Sequence, residues 1–187
     1  MTKHNHYIIY KPFGMLSQFV NNKTRKKPLL SELFDFAIGT MAIGRLDAQS
    51  EGLLFLTTHG KLSEEIRSRK VEKEYWVQID GTITQEAIEK LCTGTIITVN
   101  KTHYKTQPCN VEKIEEPNLP ERGRKIRDKR HGPTSWLSIT LTEGKNRQVR
   151  KMTASVGFPT LRLVRYRIGN ITLDGMNPGE VIEVTNF

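Results

Sequence analysis

The segment GRLDAQSEGLLFL, residues 44–56, decides which fold the sequence predicts. It contains the apolar run Leu53–Leu56, and a shorter apolar stretch, Met41–Ile43, comes just before it. A buried strand does not readily carry a charge in its interior, so the polar residues between the two runs should lie outside the strands. We therefore predict that Asp47–Gly52 is a loop between two core strands. Catalytic side chains are commonly presented on such loops.

Asp47 is the acid of this loop that we expect to face a functional site. Arg45 lies two positions earlier, and in an extended chain both side chains would point to the same face. A neighbouring cation favours the ionised form of a carboxylate. The alternative is a turn that carries only a surface salt bridge, and the pattern alone does not decide between the two.

The composition indicates a globular protein with a polyanionic partner. The chain has 187 residues and a net charge of +9, with 36% hydrophobic and 26% charged residues. That length suits one domain or two closely joined subdomains. The positive charge favours nucleic acid as the partner, with an anionic membrane surface as the second candidate. Predicted strands outnumber predicted helices and are not regularly interleaved with them, which favours an α+β fold with a largely antiparallel sheet.

Several classes of protein are disfavoured. No apolar run approaches the ~20 residues that span a bilayer, and the start, MTKHNHYIIYKP, is too polar for a signal peptide. The best candidate for a basic membrane-surface helix, 146–156, uses its apolar stripe for the core. Cys92 and Cys109 suit buried thiols in a reducing cytoplasm. No metal-binding or nucleotide-binding motif occurs, so we expect neither a metal nor a cofactor.

Two predicted elements lie on either side of the central loop. Apolar residues at helical spacing, after a proline that the first turn tolerates, predict a short helix over 28–36. Alternation over Glu72–Ile79 predicts a strand. Tyr75 in that strand is either a core tyrosine or an aromatic that stacks on a base.

Two elements near the end of the chain carry further candidates. The helix predicted over 146–156 has Arg150 at the edge of its apolar stripe, where a side chain can be partly buried and still reach a carboxylate. The alternating strand Leu161–Ile168 is predicted to turn Leu163 inward and Arg162 outward.

Basic residues in loops are the candidates for contact with a phosphate backbone. The alternative for each loop is a solvated or disordered surface segment. One lysine lies at the KPFG turn, one basic loop covers 21–27, and a loop insertion rich in Pro, Gly and charge covers 115–134. The candidates in these places are Lys11, then Lys23, Arg25, Lys26 and Lys27, and then Arg122, Arg124, Lys125 and Arg127.

Four segments occur in a fixed order: YIIYKPFGMLSQF at 7–19, GRLDAQSEGLLFLT at 44–57, KEYWVQI at 73–79 and LTEGKNRQVRKMTASVGFPTLRLVRYRIG at 141–169. Together they resemble the motifs of the RNA pseudouridine synthases, in the ribosomal small-subunit synthase A branch. The resemblance covers nearly the whole chain. Within the branch, PFGMLSQF, TSWLSITLTEG and VGFPTLRLVRY are most similar to the ribosomal large subunit pseudouridine synthase E group.

The resemblance implies a fold and a reaction. The fold would be a bent, mixed, mostly antiparallel sheet with flanking helices and a central RNA-binding cleft. The reaction would convert one uridine of large-subunit ribosomal RNA, of the 23S type, into pseudouridine after the base is flipped out. It would need no metal, cofactor or energy input.

The resemblance also implies roles for named residues. Asp47 matches the family's catalytic aspartate, and the point of its attack (C1′, C6 or a proton of the sugar) stays open. Arg45 matches the arginine beside it, which fills the gap in the base stack or contacts a phosphate. Tyr75 matches the tyrosine that packs on the target base and is a candidate to take the C5 proton. Arg150 matches the basic residue that pairs with the aspartate, and Leu163 matches the apolar residue that packs beneath the uracil. Lys73 and Arg147 match phosphate contacts.

The organisation that we expect is a single catalytic domain over 1–187, with two subdomains as the variant. Many relatives carry a small RNA-binding domain before the catalytic one, but here the first motif starts at residue 7, so we expect no such domain. The predicted protein is a cytoplasmic monomer whose partner is ribosomal RNA. The alternative function is a non-catalytic RNA-binding or ribosome-assembly factor on the same fold.

Overall fold

A computed structural model describes residues 4–20, 27–68 and 71–187. Two 3₁₀ turns, Leu30–Glu32 and Lys129–His131, accompany the strands and helices. In chain order the described elements are β1 (His6–Lys11), β2 (Met41–Ala42), β3 (Glu51–Thr57), α1 (Gly60–Ser68), β4 (Lys73–Asp80), α2 (Gln85–Thr93), β5 (Ile96–Val99), β6 (Thr102–Lys105), β7 (Asn110–Ile114), β8 (Thr134–Leu141), α3 (Gln148–Ser155), β9 (Thr160–Ile168), β10 (Ile171–Thr172) and β11 (Val181–Val184).

The chain divides into two compact units. The first unit comprises the described residues of Met1–Val71 together with Pro120–Arg124 and Arg165–Phe187. The second unit comprises Glu72–Leu119 and Lys125–Val164. Both units combine strands with one or two helices, and the strand pairs with a described register are antiparallel. The α+β class and the largely antiparallel sheet predicted from the sequence are therefore confirmed.

In the first unit, β1 lies between β11 and β3. Every residue of β1 and of β3 is buried; the apolar runs predict this for the middle of each strand but not for the charged Lys11 and Glu51. The register places Tyr7 opposite Leu56 and Ile9 opposite Leu54, and these four side chains belong to one core cluster. Burial of each such side chain stabilises the unit by about 2 kcal/mol, so the two strands form a rigid frame.

In the second unit, β8 lies between β4 and β7. Alternation in β4 buries Val77 and Ile79, as predicted. Helix α2 begins at an N-cap, Thr84, whose hydroxyl accepts a hydrogen bond from the amide of Ala87 at 3.2 Å. Side chains from β4, β8, α2 and α3 share the core of this unit.

Two predicted helices differ from the structure. The predicted helix over 28–36 is wrong: only Leu30–Glu32 is helical, as a single 3₁₀ turn, since so short a segment does not repay the cost of nucleating an α-helix. Helix α3 begins at Gln148 rather than at 146, because Arg147 has left-handed backbone angles (φ 52°). The side-chain oxygen of Gln148 instead accepts from the amide of Lys145 at 2.9 Å.

The predicted loop insertion at 115–134 contains local structure. A 3₁₀ turn covers Lys129–His131, and both terminal nitrogens of the Arg127 guanidinium donate to the carboxylate of Asp80. Among the described helices, none has the length and apolar character that crossing a bilayer requires.

Candidate active site

Asp47 lies in the connection between β2 and β3, inside the first unit. Its carbonyl oxygen accepts a hydrogen bond from the amide of Ser50 at 3.0 Å, which closes a turn. β3 then begins at Glu51, so the loop is two residues shorter at its end than the sequence predicts. Asp47 is partly buried, and Arg45 is exposed. The prediction of a polar turn held between two strands is confirmed.

The segment 12–17 contacts the backbone on both sides of Asp47. The hydroxyl of Ser17 donates to the carbonyl of Leu46 at 2.8 Å and accepts from the amide of Leu46 at 3.0 Å. The amide of Gly14 donates to the carbonyl of Ala48 at 2.6 Å. Hydrogen bonds from one neighbouring segment therefore hold the residue before Asp47 and the residue after it.

Lys11 is buried, whereas the sequence predicts a surface lysine at the KPFG turn. Its side chain has 0% exposure, and its Nζ donates to the carbonyl of Pro12 at 2.9 Å and to that of Met15 at 2.8 Å. A buried ammonium committed to two carbonyls is not available to an RNA phosphate. The prediction of Lys11 as an RNA contact is therefore corrected: Lys11 supports the segment that holds the Asp47 turn.

The surroundings of Lys11 are rich in charge. Glu51 is buried with 1% exposure, and it lies next to Gly52, the residue opposite Lys11 in the β1–β3 register. Burial lowers the pKa of Lys11 to about 7. The carboxylates of Glu51 and Asp47 oppose this shift, and the charge of Arg165 adds to it. Asp47 therefore lies in the same unit and the same charge cluster as a second carboxylate, Glu51, and two basic residues, Lys11 and Arg165.

Sequence reasoning missed three residues of this site: Ser17, Glu51 and Arg165. Arg165 is 5% exposed, and its Nε donates to the carbonyl of Leu53 at 2.8 Å. Each of these side chains is a polar group that becomes buried through partners far away in the chain. One sequence signal is available, since Lys11 and Glu51 directly adjoin the apolar runs of β1 and β3.

The other predicted site residues lie in the second unit. Tyr75 is partly buried and packs against the core cluster that contains Leu163, so both side chains belong to the core of this unit. Arg150 is a partly buried residue of α3. The pairing of Arg150 with Asp47 and the packing of Leu163 beneath a base stay predictions.

The predicted RNA-binding residues fall into three groups. Six of them are exposed or partly exposed, as a contact with RNA requires: Lys27, Lys73, Arg122, Arg124, Lys125 and Arg147. The Arg122 guanidinium lies over the ring of Phe13 at 4.3 Å. Arg127 is corrected, because its ion pair with Asp80 and its hydrogen bond to the carbonyl of Pro133 occupy the guanidinium. Lys23, Arg25 and Lys26 lie outside the described residues.

In the described ranges, no group of three or more His, Cys, Asp or Glu side chains is placed so that it could hold a metal ion. The expectation of a reaction without metal or cofactor stays a prediction.

Comparison of the sequence with known proteins places this chain in a family. Residues 5–155 match the sequence model of the family described as RNA pseudouridylate synthase. Over 181 residues the chain is 44% identical to "Ribosomal large subunit pseudouridine synthase E" of Vibrio parahaemolyticus, covering 95% of this chain and 72% of that protein. Over 176 residues it is 42% identical to the protein of the same name from Xanthomonas campestris pv. campestris, covering 92% of this chain and 91% of that one.

A solved structure supports the same placement at the level of fold. The chain superposes on a structure described as "Crystal structure of pseudouridylate synthase" with a TM-score of 0.75, at 24% identity, covering 98% of this chain and 71% of the other. The predicted pseudouridine synthase fold is therefore confirmed. Because the family's sequence model spans most of the chain, and named members are more than 40% identical over most of their own length, the chain belongs to the RNA pseudouridylate synthase family.

Proposed function

We propose that this enzyme converts a specific uridine of large-subunit ribosomal RNA into pseudouridine. The observation that carries the proposal is the similarity, at 42–44% identity over more than nine-tenths of the chain, to proteins named ribosomal large subunit pseudouridine synthase E. The net charge of +9 suits a polyanionic substrate. We keep the placement in the small-subunit synthase A branch as a prediction.

The reaction is an isomerisation that conserves the atoms of the nucleotide. The C1′–N1 bond breaks, the uracil turns, and a C1′–C5 bond forms while C5 loses a proton and N1 gains one. A carboxylate can promote such a step by covalent or proton-transfer catalysis. We assign that carboxylate to Asp47. Attack at C1′, attack at C6 and removal of a sugar proton all require the ionised form of Asp47 next to the flipped nucleotide.

The proposed support for Asp47 comes from the residues that match the family's motifs. In this proposal Arg150 pairs with Asp47 and keeps it ionised when the bound RNA excludes water. Tyr75 packs on the target base and takes the C5 proton, and Leu163 packs beneath the uracil. Arg45, which is exposed next to Asp47, fills the gap that the flipped base leaves or contacts a flanking phosphate.

The proposed grip on RNA comes from exposed cations around a central cleft. Cations at the surface can replace the counterions of phosphates, whereas the buried Lys11 cannot, and the guanidinium of Arg127 is engaged with Asp80. The set that we retain is Lys27, Lys73, Arg122, Arg124, Lys125 and Arg147, and Lys23, Arg25 and Lys26 stay predictions outside the described residues. We further propose one catalytic domain over 1–187, acting as a monomer in the cytoplasm, where ribosomes are assembled.

The test is to map pseudouridine at nucleotide resolution after incubation of the purified protein with unmodified ribosomal RNA. Large-subunit RNA, small-subunit RNA and precursor large subunits are compared in parallel. We expect a single new site in large-subunit RNA, and the comparison of free RNA with precursor subunits identifies the form of the substrate. Tight binding with no new site in any of the three would contradict the proposal and favour the binding-only alternative.

A further inference from the structure

We propose that Ser17 is a positioning residue for Asp47, which it fixes through the backbone of Leu46. This inference rests on the proposed function, because it gives Ser17 a purpose only if Asp47 acts on the substrate. Ser17 itself does not need to touch the RNA.

One hydroxyl satisfies both backbone polar groups of Leu46. Ser17 donates to the Leu46 carbonyl at 2.8 Å and accepts from the Leu46 amide at 3.0 Å, and both side chains are only 7% exposed. Serine hydroxyls usually bond to the backbone within a few residues of themselves. Here the partner lies 29 positions away in the chain, so the bond ties two separate segments together.

The segment that carries Ser17 is itself held in place. Lys11 Nζ donates to the carbonyls of Pro12 and Met15, so a buried side chain holds two residues of the segment. From the same segment the Gly14 amide donates to the carbonyl of Ala48 at 2.6 Å.

Asp47 is therefore the one residue between two residues whose backbone is tied to segment 12–17. Fixing the backbone on both sides restricts where the carboxylate can point. Displacement of a reacting group by about 1 Å can cost about 100-fold in rate, so this restraint has a catalytic consequence.

The experiment compares two buried serines with the same bonding pattern. Ser135 lies in the second unit with 6% exposure; it donates to the carbonyl of Gly81 at 2.9 Å and accepts from the amide of Ile83 at 3.0 Å. Ser17→Ala and Ser135→Ala remove equivalent hydrogen bonds, so both should lower Tm by a similar amount. Single-turnover rate at saturating RNA, RNA affinity and Tm are measured for both, beside wild type and Asp47→Asn.

We expect Ser17→Ala to lower the single-turnover rate by roughly 10- to 100-fold with little change in RNA affinity, and Ser135→Ala to keep the wild-type rate. Ser17→Thr, which keeps the hydroxyl, should recover part of the rate. A wild-type rate for Ser17→Ala beside an inactive Asp47→Asn would overturn this inference alone, and so would an equal loss of rate in Ser135→Ala. Wild-type turnover by Asp47→Asn would overturn the assignment of Asp47 and this inference with it, whereas tight RNA binding with no product from the wild type would overturn the proposed function itself.

A second pair of variants decides the matter if Ser17→Ala does not fold. Gly14 and Gly39 have nearly the same positive φ (88° and 86°), and a Cβ on either would meet nothing within 4 Å. Alanine therefore imposes a similar backbone strain at each position, but only Gly14 bonds to the Asp47 turn. Gly14→Ala should slow turnover and Gly39→Ala should not; equal rates for the two variants would overturn the inference.

Discussion

The backbone of Arg165 lies so close to Gly52 that no side chain fits between them. A Cβ on Gly52 would lie 2.7 Å from the backbone nitrogen of Arg165 and closer still to its carbonyl oxygen. Gly52 also has φ +108°, a conformation that other residues rarely adopt. The glycine after Glu51 is therefore what lets β3 and the end of β9 approach each other beside the Asp47 turn.

Gly52→Ala should destabilise the protein by about 3 kcal/mol or more, because the clash is with backbone rather than with a flexible side chain. Urea unfolding measures the loss. The control is Gly39→Ala, which meets no atom within 4 Å and should cost only about 1–2 kcal/mol of backbone strain. Equal losses for the two variants would show that the close approach does not matter.

Lys11 should make stability depend on pH. Below about pH 7 the lysine is charged in both the folded and the unfolded state, and the fold carries the full cost of burying it. Between about 7 and 10.5, the ordinary value, the folded state holds a neutral lysine while the unfolded state still binds the proton. The free energy of unfolding should therefore rise with pH in this window, by up to about 1.4 kcal/mol per pH unit.

Lys11→Met isolates this contribution from other groups that titrate in the same range. Urea unfolding of both proteins at pH 7, 8 and 9 should show the wild type gaining stability relative to the variant as the pH rises. Parallel curves would mean that Lys11 keeps the same charge in both states.

Arg124 and Arg127 of the 115–134 insertion should behave differently toward RNA, because Arg127 is engaged with Asp80. Arg124→Gln should weaken RNA binding and reduce the salt dependence of log K by roughly one phosphate contact, without changing the rate at which bound RNA is converted. Arg127→Gln is the matched control, because its ion pair with Asp80 keeps it from the phosphates. Filter binding at several salt concentrations measures both effects. A steeper loss with Arg127→Gln than with Arg124→Gln would reverse our assignment.

Tyr75→Phe should separate packing from chemistry. The ring packs against the core of the second unit, and phenylalanine keeps that contact, so Tm should stay within about 1 °C. If the hydroxyl takes the C5 proton, as we propose, turnover should fall by roughly 100-fold or more. Single-turnover assays at saturating RNA give the rate. An unchanged rate would leave Tyr75 as a packing residue only.

Much of the frame could be predicted from the sequence because it depends on local patterns. The apolar runs of β1 and β3 and the alternation of β4 each identify a strand, and the polar residues between two runs identify the Asp47 turn. These signals depend on which side chains can be buried, which is a property of each segment alone.

The buried charges could not be predicted in the same way. Lys11 is buried because the carbonyls of Pro12 and Met15 lie within reach of its Nζ, and that geometry forms only in the folded chain. Arg162, predicted to face outward, is only 7% exposed, so alternation gives the wrong side for a residue of β9. A strand with both faces covered buries residues of both parities, whatever their polarity.

The site as a whole was predicted in part. The turn that carries Asp47 follows from local sequence, whereas Ser17 reaches Leu46 across 29 positions and leaves no local signal. In sequence, segment 12–17 is an ordinary turn with Pro and Gly. Its hydrogen bonds to Leu46 and Ala48 form only in the folded chain.

The most direct test of the central claim is pseudouridine mapping on large-subunit ribosomal RNA with wild type beside Asp47→Asn. Asparagine keeps the size of the side chain and removes its charge, so the variant should fold and bind RNA normally. We predict one modified uridine with wild type and none with Asp47→Asn at equal RNA occupancy. A modified uridine formed by Asp47→Asn at a rate near that of wild type would contradict the account.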